Sequence, residues 1–432
     1  MASAGTADGG PRRTVTTLVR AVGGSILAAV LVACAGATSD PADALAGADP
    51  VVLRGQPHPV ELGTLTSADV AAAEQSFGLD VLHAMCAEAP GQNLLLSPTS
   101  AAVALGLLYP AASGATAQDV GSLLHLPEWS PDLVAAVAQR HASLTDLAYD
   151  GDLDADDAPD SLRISNHLWT RPGLEPRQTY LDDIATAHDA DVQMLDFAAD
   201  PVASTDRINA VVEDDTAGVI DELFARPLGT STVAVLVNAI HLKARWATPF
   251  RDSRDAPFHS AAGDVTVQMM QAGEGEARTA DGWTSVELPY LDGTLAAVAV
   301  LPPVGTDPCS VDSAVLDAVE GAEPERVGVA MPQLEIEQSH QLLDLLTGLG
   351  LPPKGDYSGL CESCFITEVV QATFLEVDEQ GTEAAAATGV VMEESGPPEA
   401  QVVLDRPYLL VLTDTETRSP LFMTVVHDPT AG

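Results

Sequence analysis

Residues 378–400 read DEQGTEAAAATGVVMEESGPPEA, and this stretch decides how the rest of the chain is interpreted. Four alanines in an acidic frame favour a short helix, because Ala has the highest helix propensity. Gly381 and Gly389 bracket the alanines, however, and two valines and a pair of prolines follow. Those neighbours favour an extended segment, so a surface helix or linker and a strand are both open on composition alone.

The composition indicates a large, acidic, folded protein. The chain has 432 residues, of which 46% are hydrophobic, so it can bury a sizeable core. It carries 63 acidic residues against 19 Lys and Arg, a formal net charge of -44. Such a surface repels nucleic acid, heparin-like polyanions and anionic membrane surfaces. We therefore expect no nucleic-acid partner, and we interpret the acidity as a solvated surface.

The N-terminus has the pattern of an export signal. Three arginines within residues 12–20 precede an apolar run over 21–33, which is shorter than a membrane span. The run ends in Leu-Val-Ala-Cys34, which resembles a bacterial lipobox, a signal in which the Cys is lipidated and becomes the first mature residue. We expect a signal peptide over 1–33, a flexible tether over 34–60 and a folded domain over 61–432, anchored at the cell surface through Cys34. An ordinary secretory signal, with release outside the cell, is the alternative.

The remaining cysteines are Cys86, Cys309, Cys361 and Cys364. An exported protein can form disulfides, and an even count permits two. The Cys-x-x-Cys at 361–364 also suits half of a zinc site or a redox pair. No second ligand pair and no helix-opening βαβ context accompanies it, so structural disulfides are predicted, with their pairing open, and neither a metal nor a cofactor is expected.

Hydrophobic periodicity predicts a mixture of helices and strands. Helices are predicted over 67–88, 101–108 and 342–349, and strands over 162–169, 232–246, 286–288, 295–301, 365–377, 402–404, 408–413 and 421–426. The elements do not alternate regularly as βαβ units, and no repeat or internal linker divides them. The prediction is an α+β domain.

Several sequence blocks, in the right order, resemble those of the serpin family. They are NLLLSPTS at 93–100, VNAIHLKARW at 237–246, ELPY at 287–290 with LP at 301–302, LTGLGL at 346–351 with DYSG at 356–359, VDEQGTEAAAAT at 377–388, and DRPY at 405–408 with LF at 421–422. The likeness runs from about residue 67 to the end of the chain. It implies the serpin fold, with three β-sheets, about nine helices and an exposed reactive-centre loop.

The resemblance also implies a function and a partner. A target serine protease cleaves the loop and forms a covalent acyl complex, and the loop then inserts into the central sheet and traps the protease. The protein would be a monomeric, irreversible inhibitor and not an enzyme. The block at 377–388 corresponds to the hinge of the loop, with the hinge residues Glu379, Gly381, Thr382, Glu383, Ala384, Ala385, Ala386, Ala387 and Thr388.

The loop sequence satisfies a physical condition for insertion. Side chains of a strand alternate between two faces. One set is Thr382, Ala384, Ala386, Thr388, Val390 and Met392, which carry no charge; the other is Glu383, Ala385, Ala387, Gly389, Val391 and Glu393, charged only at its ends. We expect the first set to lie against a packed core and the second to face solvent, because a buried unpaired charge is costly.

Family spacing from Glu379 implies that the protease cuts at or beside Ser395, at Glu394-Ser395 or Ser395-Gly396, with Met392-Glu393 as a further candidate. Glu before the bond suits a glutamyl-specific protease, and Ser or Met suits an elastase-like one. No Arg or Lys lies between residues 381 and 401, so a trypsin-like target is disfavoured.

Further residues resemble structural positions of the family. Ser97, Ser100 and Asn238 correspond to the shutter beneath the central sheet, and Trp246 to the tryptophan where the loop enters. Two departures predict altered contacts. Gln371 stands where many serpins have a His in the shutter, and Gln333 stands where some members place a Lys that pairs with Glu379, so that pair is not expected.

Other functions remain open. A non-inhibitory serpin acting as a binding protein is one, although small uncharged residues in the hinge disfavour it. An inhibitor of cysteine proteases is another. A surface hydrolase lacks support, because no Gly-x-Ser-x-Gly, His-Glu-x-x-His or carboxylate pair occurs in a suitable context.

Overall fold

A computed structural model describes residues 50–149, 159–216, 218–220, 222–362, 364–382 and 400–431. Within these ranges the chain forms eight α-helices and sixteen strands. The helices are α1 (Ser67–Glu88), α2 (Pro98–Gly106), α3 (Ala115–Leu123), α4 (Pro131–Thr145), α5 (Gln178–His188), α6 (Pro201–Asp215), α7 (Ser313–Glu320) and α8 (Leu343–Gly348). This architecture confirms the α+β prediction.

Side-chain caps mark where five of the described helices begin, α1, α2, α4, α6 and α7. Thr66 caps α1, and it forms a capping box with Asp69. The Ser97 hydroxyl accepts from the Ser100 N–H, and Pro98 occupies the first turn, so α2 begins at residue 98 and not at the predicted 101. Asp200 caps α6 in the same way, by accepting from the Ala203 N–H.

A seven-stranded central sheet runs through the domain in the order β1-β4-β3-β5-β13-β12-β11. Its strands are β1 (Val51–Leu53), β3 (Ser161–Thr170), β4 (Val192–Met194), β5 (Ala234–Arg245), β11 (Leu334–Gln341), β12 (Glu368–Val377) and β13 (Gly381–Thr382). The strand β5 is buried over nearly its whole length, as expected for a continuous apolar run at the centre of a sheet.

The other nine strands form one continuous ladder in the order β14-β10-β7-β8-β9-β15-β16-β2, with β6 paired to β7. They are β2 (Leu94–Leu96), β6 (Asp252–Ser260), β7 (Gly263–Ala280), β8 (Trp283–Pro289), β9 (Leu295–Leu301), β10 (Glu325–Pro332), β14 (Ala400–Val403), β15 (Tyr408–Asp414) and β16 (Pro420–Val426). The long strand β7 pairs first with β6 and later with β8. Of the three sheets that the family resemblance implied, two are thereby joined by β7 into one hydrogen-bonded ladder.

The central sheet has two differently covered faces. Its back face, which carries Leu236 and Ile240, packs on α2 and on the nine-stranded ladder. Its front face, which carries Val235, Val237 and Ala239, packs beneath α6. Both faces of the sheet centre are therefore buried.

Two disulfides resolve the pairing that the sequence left open. Cys86 on α1 bonds Cys309, 223 residues away, and Cys361 bonds Cys364 within the connection before β12. The sequence assigned residues 34–60 to a tether, yet Val51–Leu53 pairs with β4 as an edge strand, so the chain already contacts the domain there. Among the described helices, none combines the length and the apolar character that a membrane crossing requires.

Candidate functional site

The candidate site is the seam between β5 and β12 in the central sheet. Over its lower half the two strands pair directly and in parallel, from Glu368 opposite Val235 to Thr373 opposite Ile240. Above that level they separate, and β13 lies between them, antiparallel to both. The seam is thus closed at one end and already occupied by a third strand at the other.

A tight turn delivers the chain from β12 into β13. The Asp378 carboxylate accepts from the N–H groups of Gln380 (2.7 Å) and Gly381 (3.0 Å). Burial raises the pKa of Asp378, although these two hydrogen bonds act in the opposite direction. Glycine is required at 381 because a Cβ there would lie 2.0 Å from the Ala244 carbonyl oxygen. The predicted hinge glycine therefore permits β13 to approach β5.

An aromatic pair closes the upper end of the seam. The rings of Trp246 and Tyr290 stack with centroids 4.6 Å apart and planes 8° from parallel. The Trp246 indole donates to the Asp378 carbonyl (2.9 Å), and the Tyr290 hydroxyl hydrogen-bonds the Thr382 hydroxyl. Thr382 is 1% exposed and lies on the back face, as the alternation predicted for the first residue of the uncharged set. Burial raises the pKa of the Tyr290 hydroxyl, which keeps it protonated and able to donate.

Glu379 is held by two neutral partners. Gln333 donates to its carboxylate at 2.9 Å, and Ser253 donates to the other carboxylate oxygen. Burial would raise the pKa of Glu379, but the hydrogen bonds from Ser253, from its own backbone N–H and from Gln333 together outweigh burial and lower the pKa. The Lys–Glu pair of other family members was not expected here, and a neutral hydrogen bond takes its place, because the Gln333 amide N–H donates to the same carboxylate.

A buried polar cluster closes the lower half of the seam from behind. Gln371 binds the backbone of Ser97 with both ends of its amide, accepting from the N–H (3.0 Å) and donating to the carbonyl (2.9 Å). It also donates to the Asn238 side chain (3.1 Å), and Asn238 donates to the Ser100 carbonyl (2.8 Å). Although Gln371 replaces the His of many serpins, the cluster remains hydrogen-bonded, because the Gln371 amide reaches the backbone of Ser97 before α2.

The structure brings most of the described candidates into this one seam. The turn and β13 hold Glu379, Gly381 and Thr382 at the top beside Trp246, while Ser97, Ser100 and Asn238 lie at the bottom. The remaining candidates lie outside the described residues: Cys34, the hinge residues Glu383, Ala384, Ala385, Ala386, Ala387 and Thr388, and the residues Glu394, Ser395 and Gly396 at the predicted bonds.

Sequence reasoning assigned no role to two residues at the top of the seam. One is Tyr290, described above. The other is Asp160, whose carboxylate accepts from the backbone N–H groups of Arg245 (3.0 Å) and Asp292 (3.1 Å) and so fixes the end of β5. Burial raises the pKa of Asp160. A lone Asp after an acidic loop gives no sequence signal of this kind, since its partners are distant backbone groups.

One group of possible metal ligands occurs in the described part of the chain. Donor atoms of Asp307, Cys309 and His427 lie within 4.8 Å of one another. The Cys309 sulfur is bonded to Cys86, so it is not a thiolate that could bind a metal.

Comparisons with known proteins agree with this architecture. The family model described as serpin (serine protease inhibitor) matches residues 72–429. An uncharacterized serpin-like protein of Thermococcus kodakarensis is 31% identical over 376 residues, covering 83% of this chain and 86% of that protein. The leukocyte elastase inhibitor of Bos taurus is 28% identical over 388 residues, covering 83% of this chain and 99% of that protein.

Solved structures give the same result. The thermophilic serpin tengpin in its native state superposes with a TM-score of 0.75 at 23% identity, covering 88% of this chain and all of that one. Human thyroxine-binding globulin superposes with a TM-score of 0.73 at 25% identity, covering 84% of this chain and 100% of that one. With the family model matching well over half of the sequence, the chain belongs to the serpin family, whose members are mostly serine protease inhibitors and include some non-inhibitory proteins.

Proposed function

We propose that this protein is an irreversible inhibitor of serine endopeptidases of elastase-like or glutamyl specificity, and that it acts by inserting its cleaved loop into the seam. The protease serine hydroxyl attacks the carbonyl of residue 394 or 395, the peptide bond breaks, and the new amino terminus leaves with the proton. The acyl ester then connects the protease to the loop. Insertion of the loop follows before water can cleave that ester.

The register of β13 carries this proposal. Thr382 pairs with Ala244 on one side and with Val377 on the other. Continued in step along both strands, the loop brings Thr388 opposite Asn238 and, independently, opposite Gln371. These two residues are already paired with each other across the closed seam. The polar residue that follows the alanines would therefore enter at the buried polar cluster, where its hydroxyl can replace the bond between Gln371 and Asn238.

The same register fits the length and the packing of the seam. It brings Met392 opposite Ala234, the first residue of β5, so the segment up to the predicted cleavage bonds matches the strand it would join. The uncharged set, from Thr382 to Met392, would lie on the back face against the core. This is the face on which Thr382 already lies.

The opposite set requires a change to the sequence-based interpretation. The set from Glu383 to Glu393 was expected to face solvent. At the level of Val237 and Ala239, however, the front face of the sheet is covered by α6. Gly389 and Ala387 would arrive opposite those two residues, and their small size leaves room beneath the helix. Small side chains at Ala387 and Gly389 would therefore be needed for packing beneath α6, as well as for easy insertion of the strand.

Insertion would also improve the backbone pairing. The six directly paired positions of the lower seam are parallel, whereas an inserted strand would be antiparallel to both neighbours. Antiparallel pairs are slightly more stable per residue, and two ladders would replace one. The driving force for trapping the protease would come from this gain.

The test is to treat the protein with a panel of elastase-like and glutamyl-specific serine proteases. We expect a complex that survives SDS, a released C-terminal fragment beginning at Ser395 or Gly396, and a cleaved form that unfolds at a much higher temperature than the intact protein. A fragment beginning inside the alanines would identify a substrate. Absence of both complex and heat resistance after cleavage between residues 392 and 397 would refute the proposal.

Two other functions would give distinct results in this experiment. A cysteine-protease inhibitor would form its stable complex with papain-like enzymes only. A binding protein, as thyroxine-binding globulin is by its name, would form no complex with any protease. The hinge favours inhibition over binding, because no charged or bulky residue occupies the positions from Ala384 to Thr388.

We also propose that the protein is exported and attached to a bacterial cell surface through a lipid on Cys34. The lipobox-like tetrapeptide supports this location, in which the inhibitor would shield the cell from exogenous proteases. Labelling with a radioactive fatty acid should mark the wild type and not a Cys34→Ala variant. Equal labelling of both proteins would exclude Cys34 as the lipid site.

A further inference from the structure

The helix α6 lies across the part of the seam that an inserted strand would occupy. Its apolar side chains Ile208 and Val212 belong to a buried cluster that includes Val237 of β5 and Val370 and Ala372 of β12. The helix therefore shares one buried apolar layer with both strands that must separate. Any strand that enters between them passes beneath it.

Three polar side chains fasten the C-terminal end of this helix to the sheet. Asp215, the last residue of α6, accepts from the Ser165 hydroxyl and from His167 Nε2 (2.7 Å), and both donors lie on β3. The His167 ring stacks on buried Trp169, with centroids 4.8 Å apart, which fixes its orientation. We call Ser165, His167 and Asp215 the α6 latch.

The latch is a partly buried, charge-assisted contact. The side chains of His167 and Asp215 are only 22% and 30% exposed. Burial would raise the pKa of Asp215, but the hydrogen bonds from His167 and Ser165 outweigh it and lower the pKa, so the carboxylate stays ionised at neutral pH. Hydrogen bonds to an ionised acceptor are stronger than neutral ones.

The latch also lies at the level where the seam is closed. In the pairing of β3 with β5, Ser165 is opposite Ala239 and His167 is opposite Val237. In the proposed register, Ala387 would lie at the level of Ala239 and Gly389 at the level of Val237, both on the front face. The helix α6 is therefore bound to β3 next to the place where it would have to move away from the sheet to admit the entering strand.

We propose that the α6 latch holds the helix down on the closed seam and sets the rate at which the loop inserts. This inference rests on the proposed function, since it assigns the barrier of that same insertion step to Ser165, His167 and Asp215. These are positioning residues, because none of them contacts the protease or the cleaved bond.

The experiment measures uptake of a synthetic peptide with the sequence of residues 382–392 by the intact protein, followed as conversion to a form that resists heat. We expect Asp215→Ala and His167→Phe each to accelerate uptake by about fivefold or more, since each removes a charge-assisted hydrogen bond. Phe preserves the stacking on Trp169. The double variant should be no faster than Asp215→Ala alone, because the hydrogen bond from His167 is already lost in that variant.

Two control variants separate the latch from general effects of charge or stability. Asp214→Ala removes the same charge from the neighbouring residue, which is exposed. Ser130→Ala removes the N-cap of α4, far from α6 in the chain, and weakens the protein without touching the latch. We expect wild-type uptake rates for both.

Several results would overturn the proposal. Uptake by Asp215→Ala within twofold of the wild type would do so, as would an equal acceleration by Asp214→Ala or Ser130→Ala. Unchanged hydrogen exchange of the amides at 212–216 in Asp215→Ala would show that the latch does not hold the helix. If the wild type takes up no peptide and gains no heat resistance on cleavage, the proposed function fails and the latch fails with it. Normal uptake that no variant alters rejects the latch alone.

Discussion

The two halves of the seam between β5 and β12 have opposite pairing. In the upper half, β13 lies antiparallel between the strands and is fixed by the turn at Asp378 and by the ring pair of Trp246 and Tyr290. In the lower half, the strands pair in parallel with each other and are closed from behind by Gln371. The upper half thus already has the arrangement that insertion would extend downwards. The barrier to insertion therefore belongs to the lower half, where pairs must break before new ones form.

The largest expected effect comes from a charge on the back face of the entering strand. Ala384→Arg would put a guanidinium at the level of Leu242 and Leu375, both buried, at a cost of several kcal/mol, and should lower protease trapping at least about a hundredfold. Cleavage itself should continue. The ratio of SDS-stable complex to cleaved protein measures the effect.

Glu383→Arg is the matched control for that substitution. It adds the same side chain one residue earlier, on the front face at the level of Lys243 and Glu376, and Glu376 is exposed. Trapping should stay near the wild-type level. Equal loss in both variants would mean that the register of β13 does not continue into the loop.

A second substitution weakens the lower half before cleavage. Gln371→Leu would leave the buried Ser97 N–H without a partner and would remove one of the two donors to the Ser97 carbonyl, which keeps the Ala101 N–H, at a cost of about 1–3 kcal/mol. The intact protein should unfold at lower urea concentration and should take up loop peptide faster, because the closed pairing is weaker.

Gln338→Leu is the control on the far side of β12. Gln338 binds the backbone at the start of β2 with both ends of its amide, accepting from the Leu95 N–H (2.8 Å) and donating to the carbonyl of Asn93, just before the strand (2.9 Å). Its loss should lower stability without changing the rate of peptide uptake. If both variants accelerate uptake equally, stability in general and not the lower seam controls insertion.

The sequence predicted those features of the structure that are determined by interactions within a few residues along the chain. Helix α1 is confirmed from Ser67 to Glu88, and the strands β3 and β5 lie within two residues of their predicted ends, because periodicity and caps act within a few residues. The serpin fold followed from ordered blocks along the chain. The disulfide pairing did not follow, since four cysteines allow three connectivities.

Contacts between distant segments were beyond the sequence. Alternation predicted which loop residues would share a face, but it could not show that α6 covers the front face of the central sheet, because that depends on tertiary packing. The same holds for Gln371 and Gln333, which differ from the family pattern yet form hydrogen bonds. Whether a substituted amide still reaches its partner is decided by distances of a few tenths of an ångström.

A smaller effect is expected at the upper end. Tyr290→Phe keeps the stacking on Trp246 but leaves the buried Thr382 hydroxyl without the Tyr290 hydroxyl, and should lower the free energy of unfolding by about 1 kcal/mol. Tyr408→Phe is the control, because the buried Tyr408 hydroxyl has no hydrogen-bond partner among the described residues. That variant should be neutral in urea unfolding. A loss as large as that of Tyr290→Phe would show that the hydroxyl at 290 does not fix β13.

The smallest expected effect is a pH dependence at Glu379. Its pKa is lowered in the folded protein, so its carboxylate stabilises the fold above the ordinary value of 4.5, and that contribution is lost as the pH falls through the folded pKa. Glu379→Gln should therefore lose less stability than the wild type between pH 6 and about pH 3, as measured by urea unfolding. Glu335→Gln, on an exposed carboxylate of β11, should follow the wild-type curve. If all three proteins lose stability in parallel, the hydrogen bonds from Gln333 and Ser253 do not hold the top of the seam, and the upper half depends on the Asp378 turn and on the ring pair.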